Sequence, residues 1–359
     1  MTERGSREEA AAAVKDLLSA ARRILVIKLR YVGDSLWMLP FLANLRTNLP
    51  AAEITVLVNE GTEGFFRGCP DVDRVIPFPY RRVKSGLGGI APFLSTVKTL
   101  RRARPDAVID LTDSDRPALL AYLSGAKLRL GYTYHRRWRN RLFTHIIVPR
   151  RGCHLVRYHL DFLEAMGLSV TDDAIRLRIA PEAVSALRRK APTIFAGENR
   201  KKIVVHPGAR IPLRQWGADR YAKLCDLLSV RYRVFLVTGP DEAELLAEVL
   251  ARVEVPPAFS SSSLSLEEFA ALCGTADAFV GNDSGPIHMA APNTFVVGLY
   301  GPNTDALAGP WTNRKYIFEA EGLSCRPCDQ SRCVYPEFKA CLRRVSAEAV
   351  ADKIFEIVG

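Results

Sequence analysis

Short apolar runs alternate with amphipathic stretches along almost the whole chain of 359 residues. Apolar runs rich in Val and Ile predict buried strands, and longer stretches with apolar residues three or four positions apart predict helices. Such alternation is typical of parallel sheets joined by right-handed crossovers. The predicted strands are Ile24–Leu29, Ile54–Val58, Val75–Phe78, Ala107–Leu111, Leu128–Gly131, Ile203–His206, Val234–Val237, Ala278–Val280 and Phe295–Tyr300. The predicted helices include Leu36–Asn48, Phe93–Arg102, Leu155–Met166, Tyr221–Leu228, Leu245–Ala251 and Leu266–Cys273, the last with a capping box of Ser265 and Glu268.

The pattern divides the chain into two such blocks. Residues 24–180 form the first predicted domain and residues 203–345 the second, with a polar, helical linker at 181–202. A polar, alanine-rich helix at residues 1–23 precedes them, and a helix at 346–359 follows them. The predicted fold class is α/β with two parallel sheets. Ligands of open α/β sheets bind beyond the carboxyl ends of the strands, so two facing sheets would hold a cleft between them.

Composition narrows the class of partner without fixing it. The formal net charge of +11 indicates an acidic partner, which leaves nucleic acid, an anionic membrane surface and a phosphorylated substrate open. No apolar run approaches the roughly 18–20 residues that span a bilayer, and residues 1–23 lack the apolar core of a signal peptide. We therefore expect a cytoplasmic protein, with peripheral attachment to a membrane as an open alternative.

The loop after the predicted strand Ala278–Val280 is the most distinctive in the chain. It reads Gly281-Asn282-Asp283-Ser284-Gly285-Pro-Ile-His288. Its glycines let the backbone approach a ligand closely, and Ser284 or Asp283 can cap the short helix that follows. The first N–H groups of a helix lack intrahelical partners and attract anions. The loop therefore predicts a phosphate-binding site.

A second loop follows the first predicted strand and reads Lys28-Leu-Arg30-Tyr-Val-Gly33-Asp34-Ser. Gly33 permits a sharp turn, and Asp34 begins the next helix. This carboxylate could act as a general base on a hydroxyl group, or it could simply cap its helix. Lys28 and Arg30 are interpreted as solvated or as binding an anionic substrate.

Two further loops follow strands in the second block. In His206-Pro-Gly208-Ala-Arg210, which continues to Arg214 and Trp216, the arginines could neutralise a phosphate or a leaving diphosphate, or could stay solvated. His206 and Trp216 are read as packing residues. In Val237-Thr-Gly-Pro-Asp241, the carboxylate could accept hydrogen bonds from ribose hydroxyls.

The order and spacing of these motifs resemble glycosyltransferase family 9, the ADP-heptose:lipopolysaccharide heptosyltransferases, and most of all the heptosyltransferase III type. The resemblance covers nearly all of the chain after Arg22. It rests on Ile24-Leu-Val-Ile-Lys-Leu-Arg-Tyr-Val-Gly-Asp34-Ser, His206-Pro-Gly, Asn282-Asp-Ser-Gly-Pro-Ile-His, Leu299-Tyr-Gly-Pro, Gly309-Pro-Trp and Cys325-Arg-Pro-Cys.

The resemblance implies a GT-B fold, in which two Rossmann-like domains face an interdomain cleft. The first domain would bind the acceptor and the second the nucleotide sugar, and the reaction would be inverting and would require no metal or other cofactor. Asp34 would be the catalytic base, and Arg214, a position that is often lysine in relatives, would hold the donor diphosphate. The implied donor-binding residues are Gly208, Asp241, Asn282, Asp283, Ser284, Gly285 and His288.

A basic face in the first block fits a lipopolysaccharide inner-core acceptor, which carries carboxylates and phosphates. The predicted acceptor-binding residues are Arg30, Arg136, Arg137 and Arg139. The same arginines beside Trp138 could contact an anionic inner-membrane surface or nucleic acid, or could form a solvated loop. The resemblance favours ADP-heptose and lipopolysaccharide as partners, without nucleic acid.

Two features leave alternatives open. The run Ala291-Pro292-Asn-Thr departs from the family pattern, and Pro292 should end the preceding helix early, which opens the choice of donor to other nucleotide sugars. Cys325, Cys328, Cys333 and Cys341 begin as Cys-x2-Cys, which suggests a structural zinc site, with packed thiols or a disulfide as alternatives. A nucleic-acid-binding protein and a catalytically silent nucleotide-binding module are the competing functions.

Overall fold

The computed structural model describes residues 3–84, 86–132, 137–148, 152–196, 200–328 and 331–359. The chain divides into two compact units, Met1–Arg178 and Ile179–Gly359. The predicted linker at 181–202 therefore lies inside the second unit, where helix Pro181–Lys190 packs against helix Leu266–Cys273. The ammonium of Lys190 lies 3.0 Å from a carboxylate oxygen of Glu268 at this contact.

The first unit contains a six-stranded parallel sheet in the order β3-β2-β1-β4-β5-β6. Its strands are β1 (Arg23–Lys28), β2 (Glu53–Asn59), β3 (Arg74–Phe78), β4 (Ala107–Asp110), β5 (Leu128–Gly131) and β6 (His145–Ile146). Its α-helices are α1 (Glu3–Ser19), α2 (Val32–Leu36), α3 (Leu39–Asn48), α4 (Tyr80–Val83), α5 (Ile90–Ala103), α6 (Asp115–Leu123) and α7 (Leu155–Ala165).

The second unit repeats this topology with a parallel sheet in the order β12-β11-β10-β7-β8-β9. Its strands are β7 (Lys202–His206), β8 (Arg233–Val237), β9 (Phe259–Ser261), β10 (Ala278–Asn282), β11 (Phe295–Tyr300) and β12 (Lys315–Glu319). Its α-helices are α8 (Pro181–Lys190), α9 (Ala218–Ser229), α10 (Ala243–Leu250), α11 (Leu266–Cys273), α12 (Gly285–Ala290), α13 (Asp305–Ala308), α14 (Ala340–Arg343) and α15 (Ala347–Val358).

All nine strands predicted from the apolar runs are confirmed, and the three that were not predicted are β6, β9 and β12. Each of these three lies at the edge of its sheet and is only partly buried. A central parallel strand is covered on both faces and therefore reads as a continuous apolar run, whereas an edge strand does not. The missing apolar run explains why the sequence pattern overlooks these edges.

The helix prediction holds with one correction. The predicted helix Leu36–Asn48 is two helices, α2 and α3, because Pro40 at the second position of α3 has no N–H with which to continue the helix from α2. The capping box of Ser265 and Glu268 is confirmed, since each side chain accepts the backbone N–H of the other residue. Helix α12 ends at Ala290, two residues before Pro292, as predicted.

Trp216 anchors the core of the second unit beneath α9 and α15. Its side chain is 2% exposed, and its ring meets that of Tyr221 edge to face with centroids 5.0 Å apart. The indole N–H donates to the backbone carbonyl of Val345 at 3.0 Å. The hydroxyl of Tyr221 is buried and has no hydrogen-bond partner among the residues that the structure describes.

We expect the two members of this aromatic pair to respond oppositely to replacement by phenylalanine. Trp216→Phe leaves the buried Val345 carbonyl without its donor and should lower the free energy of unfolding by about 1–3 kcal/mol. Tyr221→Phe removes a buried hydroxyl that forms no hydrogen bond, so stability should stay the same or rise. Urea unfolding followed by circular dichroism measures both variants, and equal losses in the two would contradict this account.

Candidate active site

In each sheet the strand order reverses once, between β1 and β4 in the first unit and between β7 and β10 in the second. Ligands of open α/β sheets bind beyond the carboxyl ends of the strands at such a reversal. Asp34 lies in α2, which follows β1, and Thr112 lies in the loop after β4, whereas Gly208 follows β7 and Asp283 follows β10. Asp34 therefore lies near the reversal point of the first sheet, and Gly208 and Asp283 lie at that of the second.

Asp34 is the third residue of α2 and is partly exposed. The N-cap position belongs to Tyr31, so the alternative in which Asp34 caps its own helix is wrong. Ser35 fixes the start of α2 instead, because its backbone N–H and its hydroxyl both donate to the Tyr31 carbonyl, at 3.0 and 3.1 Å. The Asp34 carboxylate therefore does not cap α2.

Lys28 at the end of β1 is a buried charge, not the solvated residue that the sequence suggested. It is 4% exposed, and its ammonium donates to the Leu111 carbonyl at 2.8 Å and contacts Nε2 of His159 at 2.9 Å. Burial lowers the pKa of Lys28 to about 8, and the nearby carboxylate of Asp34 opposes this shift by favouring the ammonium form. The Asp34 carboxylate therefore favours the charged form of Lys28.

His159 is neutral and supports this lysine. Burial lowers the pKa of His159 well below its ordinary value, and the Lys28 charge lowers it further. A neutral imidazole has one donor nitrogen and one acceptor nitrogen, so Nε2 accepts from Lys28 while Nδ1 donates to the Trp37 carbonyl at 3.2 Å. The sequence analysis missed His159, which is distant in the sequence from any motif of the first unit.

Asp110 ends β4 beside this pair and is 1% exposed. Burial raises its pKa to about 7, although hydrogen bonding from Thr112 opposes the shift. The Thr112 N–H donates to this carboxyl at 2.8 Å. The edge of the first sheet thus holds buried titratable groups that the sequence pattern did not identify.

The predicted acceptor-binding arginines differ in their surroundings. Arg30 is exposed, and its guanidinium donates to the Thr112 carbonyl at 2.8 Å. Arg139 has a side chain that is 5% exposed and lies 2.9 Å from Asp113 and 3.5 Å from Asp115. Arg30 therefore presents its charge to solvent, whereas the charge of Arg139 is compensated in place.

The other two predicted acceptor-binding residues are Arg136 and Arg137. Arg136 and the side chain of Arg137 are outside the described residues.

The second unit brings Arg214 and Asp283 together. Arg214 ends a short 3-10 helix, Pro212–Arg214, and its guanidinium lies 3.0 Å from the Asp283 carboxylate and 3.2 Å from the Asp283 carbonyl oxygen. Asp283 is 2% exposed, and burial raises its pKa while the Arg214 charge and a hydrogen bond from Asn303 hold it down. Arg214 keeps 22% of its side chain exposed, so it presents a fixed positive charge to solvent.

Asn282 holds two loops of this site to each other. It is fully buried, and its carboxamide donates to the carbonyls of Pro207 and Gly208, at 2.7 and 3.3 Å. Its side-chain oxygen accepts the backbone N–H of Trp216 at 3.2 Å. These bonds fix the connection between β7 and α9, in which both Gly208 and Arg214 lie, to the end of β10.

Glu242, which the sequence analysis passed over in favour of Asp241, closes the loop after β7. A Cβ at Gly208 would lie 2.0 Å from a carboxylate oxygen of Glu242, so a larger residue there would displace this side chain. The carboxylate accepts the Gly239 N–H at 3.0 Å and lies 3.9 Å from Nε2 of His206. Burial lowers the pKa of His206 to about 4, so this histidine is a neutral core residue.

The remaining predicted donor-binding residues line the same edge. Asp241 is exposed in the turn after β8. Ser284 lies at the N-cap of α12 as predicted, but its hydroxyl donates to the Asn282 carbonyl at 3.3 Å and makes no capping bond. Gly285 is partly exposed at the start of α12, and His288 is 5% exposed within that helix.

The four clustered cysteines are half-buried free thiols. Within the described ranges, no group of three or more His, Cys, Asp or Glu side chains is arranged to hold a metal ion, so the predicted zinc site has no support. Likewise, no helix in the described part of the chain is both long and apolar enough to cross a membrane.

Comparison with known proteins gives a consistent result. The sequence model of glycosyltransferase family 9 (heptosyltransferase) matches residues 93–339. Two curated proteins named lipopolysaccharide heptosyltransferase 3, both from Escherichia coli, are similar to the chain. One is 28% identical and spans 91% of this chain and 97% of its own length. The other, from strain K12, is 30% identical and spans 83% and 88%.

Solved structures share the fold at lower identity. A glycosyl transferase family 9 protein from Veillonella parvula superposes with a TM-score of 0.82 at 22% identity, covering 94% of this chain and 97% of its own. The E. coli heptosyltransferase WaaC with ADP-2-deoxy-2-fluoro heptose gives a TM-score of 0.70 at 22% identity, covering 93% and 99%. These matches confirm the predicted α/β fold with two Rossmann-like units of the GT-B class. The chain belongs to glycosyltransferase family 9, the heptosyltransferase family, and is a glycosyltransferase.

Proposed function

We propose that this chain transfers heptose from ADP-L-glycero-D-manno-heptose to the lipopolysaccharide inner core, with inversion at the anomeric carbon and without a metal ion. The observation that carries the proposal is Arg214, a cation fixed by Asp283 at the strand reversal of the second sheet. The similarity to two lipopolysaccharide heptosyltransferases over most of the chain supports the choice of sugar and acceptor.

In this mechanism Asp34 is the general base. It removes the proton of an acceptor hydroxyl, whose oxygen then attacks the anomeric carbon from the face opposite the nucleotide. The Lys28 ammonium, at the end of the preceding strand, places a positive charge near this carboxylate. Arg30, which is exposed beside the same strand end, is suited to an anionic group of the acceptor.

Arg214 meets the charge that develops on the departing diphosphate. A guanidinium already oriented by an ion pair needs little reorganisation as that charge grows, which is the condition for electrostatic catalysis. Gly208 and Gly285 would allow the backbone to approach the donor, and we assign to Asp241 the acceptance of hydrogen bonds from ribose hydroxyls. We assign the remaining donor contacts to Asp283, Ser284 and His288, and Asn282 acts by positioning.

A different nucleotide-sugar donor is the second candidate, favoured by one observation. Helix α12 ends at Ala290 just before Pro292, in the run that departs from the family pattern. An early end to this helix would alter the backbone that follows Ser284 and His288, to which we assign donor contacts. Cytoplasmic location and peripheral binding to an anionic inner-membrane surface stay predictions from the sequence.

A donor panel with deep-core lipopolysaccharide as acceptor tests the proposed function. We expect ADP release with ADP-heptose, no turnover with UDP- or GDP-sugars, an inverted anomeric configuration in the product by NMR, and an unchanged rate in EDTA. Turnover with only UDP- or GDP-sugars would replace the leading candidate by the second. A rate abolished by EDTA and restored by a divalent cation would refute the metal-independent mechanism.

Asp34→Asn should lower kcat by roughly 10²–10⁴-fold, because the amide cannot accept the hydroxyl proton. Calorimetric affinity for ADP should stay within a factor of two of the parent, since Asp34 makes no donor contact in the proposal. Asp16→Asn, which changes an exposed carboxylate of α1, is the matched control and should retain full activity. Full activity in Asp34→Asn would remove Asp34 from the mechanism.

Arg214→Ala should lower kcat/KM by roughly 10²–10³-fold, as expected for the loss of one electrostatic contact to the transition state. It also leaves Asp283 buried without its cation, so the melting temperature should fall. The melting temperature of the double variant Arg214→Ala/Asp283→Asn should return to that of Asp283→Asn alone. Its kcat/KM should stay below that of Asp283→Asn. Recovery of both would mean that Arg214 serves only to neutralise Asp283.

A further inference from the structure

The four cysteines lie in a segment that contacts the loop of Arg214 and the loop after β11. We define the cysteine segment as the described residues 323–328 and 331–341. A cavity of about 30 Å³ is lined by its four cysteines together with Leu213 and Pro302. Leu213 precedes Arg214 in the 3-10 helix, and Pro302 lies in the loop that follows β11. The cysteine segment therefore packs against the supports of the donor-site pair.

Arg326 binds the loop after β11 through main-chain carbonyl groups. Its guanidinium donates to Gly301 at 2.5 Å, to Asn303 at 2.7 Å and to Tyr300 at 3.4 Å. It also donates to Ala320 at 2.7 Å and lies 3.4 Å from the Glu319 carboxylate. The side chain is 9% exposed. One buried guanidinium thus fixes the backbone of a loop that has no regular secondary structure.

The same loop reaches Asp283. Asn303 lies near enough to the Asp283 carboxyl to lower its pKa, and the Asp283 N–H donates to the carbonyl of Leu299 in β11 at 3.3 Å. A second main-chain bond, from Cys328 N–H to the Pro302 carbonyl at 3.0 Å, holds the loop to the cysteine segment. The approach is close, because a Cβ at Gly301 would lie 2.7 Å from Leu342 and 3.2 Å from the Cys341 sulfur. Arg326 therefore holds the end of β11 and the loop that lies beside Asp283.

Lys339 holds the loop of Arg214 in the same way, by hydrogen bonds to its main-chain carbonyl groups. Its ammonium donates to the Pro212 carbonyl at 3.0 Å and to the Gln215 carbonyl at 2.5 Å. These two carbonyl groups lie on either side of Arg214 in the sequence. Lys339 is itself held, since its backbone N–H donates to the Cys333 sulfur at 3.3 Å.

We propose that the cysteine segment is a brace for the donor site, in which Arg326 and Lys339 are positioning residues that hold Asp283 and Arg214 in their mutual geometry. The inference rests on the proposed function only in taking this pair as the donor-binding group. A brace of this kind acts on binding of the donor more than on the chemical step, because a displaced guanidinium loses its contact with the diphosphate in the ground state as well.

The test compares each brace residue with a residue of the same type that makes the same kind of contact elsewhere in the second unit. Arg200 donates to the carbonyls of Ser229 at 2.7 Å and Tyr232 at 3.1 Å, before the amino end of β8. Lys201 donates to the carbonyls of Val358 and Gly359 at the end of the chain. Arg326→Ala is thus paired with Arg200→Ala, and Lys339→Met with Lys201→Met.

Two measurements test the brace separately from the proposed function. Hydrogen exchange without ligand should rise at residues 301–304 in Arg326→Ala and at 213–216 in Lys339→Met, and in neither control. The donor KM should rise at least tenfold in both brace variants while kcat falls less than threefold. Millimolar guanidinium should restore the donor KM of Arg326→Ala, which a general loss of packing would not allow.

Unchanged exchange at both loops would overturn the proposal, and so would increased exchange with an unchanged donor KM. If the parent protein turns over no ADP-heptose, the proposed function fails and the KM readout moves to the donor that the panel identifies. The ligand-free exchange then still decides whether the brace exists. Should a brace variant fail to fold, the milder Arg326→Lys, which keeps the charge but not the planar set of donors, takes its place.

Discussion

Parallel pairing of all strands in each sheet is the constraint on which the site depends. Because every strand runs in the same direction, all carboxyl ends meet at one edge, and the loops after strands distant in sequence become neighbours. In the second unit this brings the loop after β7 to the loop after β10, where Asn282 joins them. In the first unit it brings Lys28 at the end of β1 to Leu111 after β4. The same backbone geometry thus builds a polar edge twice.

Burial away from water determines how readily the side chains at that edge carry a charge. Lys28, Asp110 and Asp283 are each nearly excluded from water, which disfavours their charged forms. Lys28 and Asp283 recover part of that cost from the opposite charge beside each of them. The paired groups, Lys28 and Asp283 with Arg214, are thereby held in fixed positions, which is the condition for electrostatic stabilisation in the proposed reaction.

The cysteine segment shows how a motif can be recognised while its task is misread. The spacing of Cys325 and Cys328 suggested metal ligands, and no metal-binding group is found among the described residues. Arg326, which lies between them, instead donates to several main-chain carbonyl groups. A guanidinium that binds several main-chain carbonyl groups leaves no periodic or compositional trace. Only the folded loop around Gly301 reveals what this arginine does.

The sequence by itself determined the nine strands with continuous apolar runs, the loops that follow them, the capping box of α11 and the family. These depend on local patterning and on motifs that are contiguous in the chain. The tertiary structure alone decided that Lys28 is buried against His159, that Glu242 faces Gly208 and that Lys339 holds the loop of Arg214. It also decided the edge strands β6, β9 and β12. Each of these contacts joins residues far apart in the chain, and burial and partner choice at such contacts arise only when the sheets and helices pack.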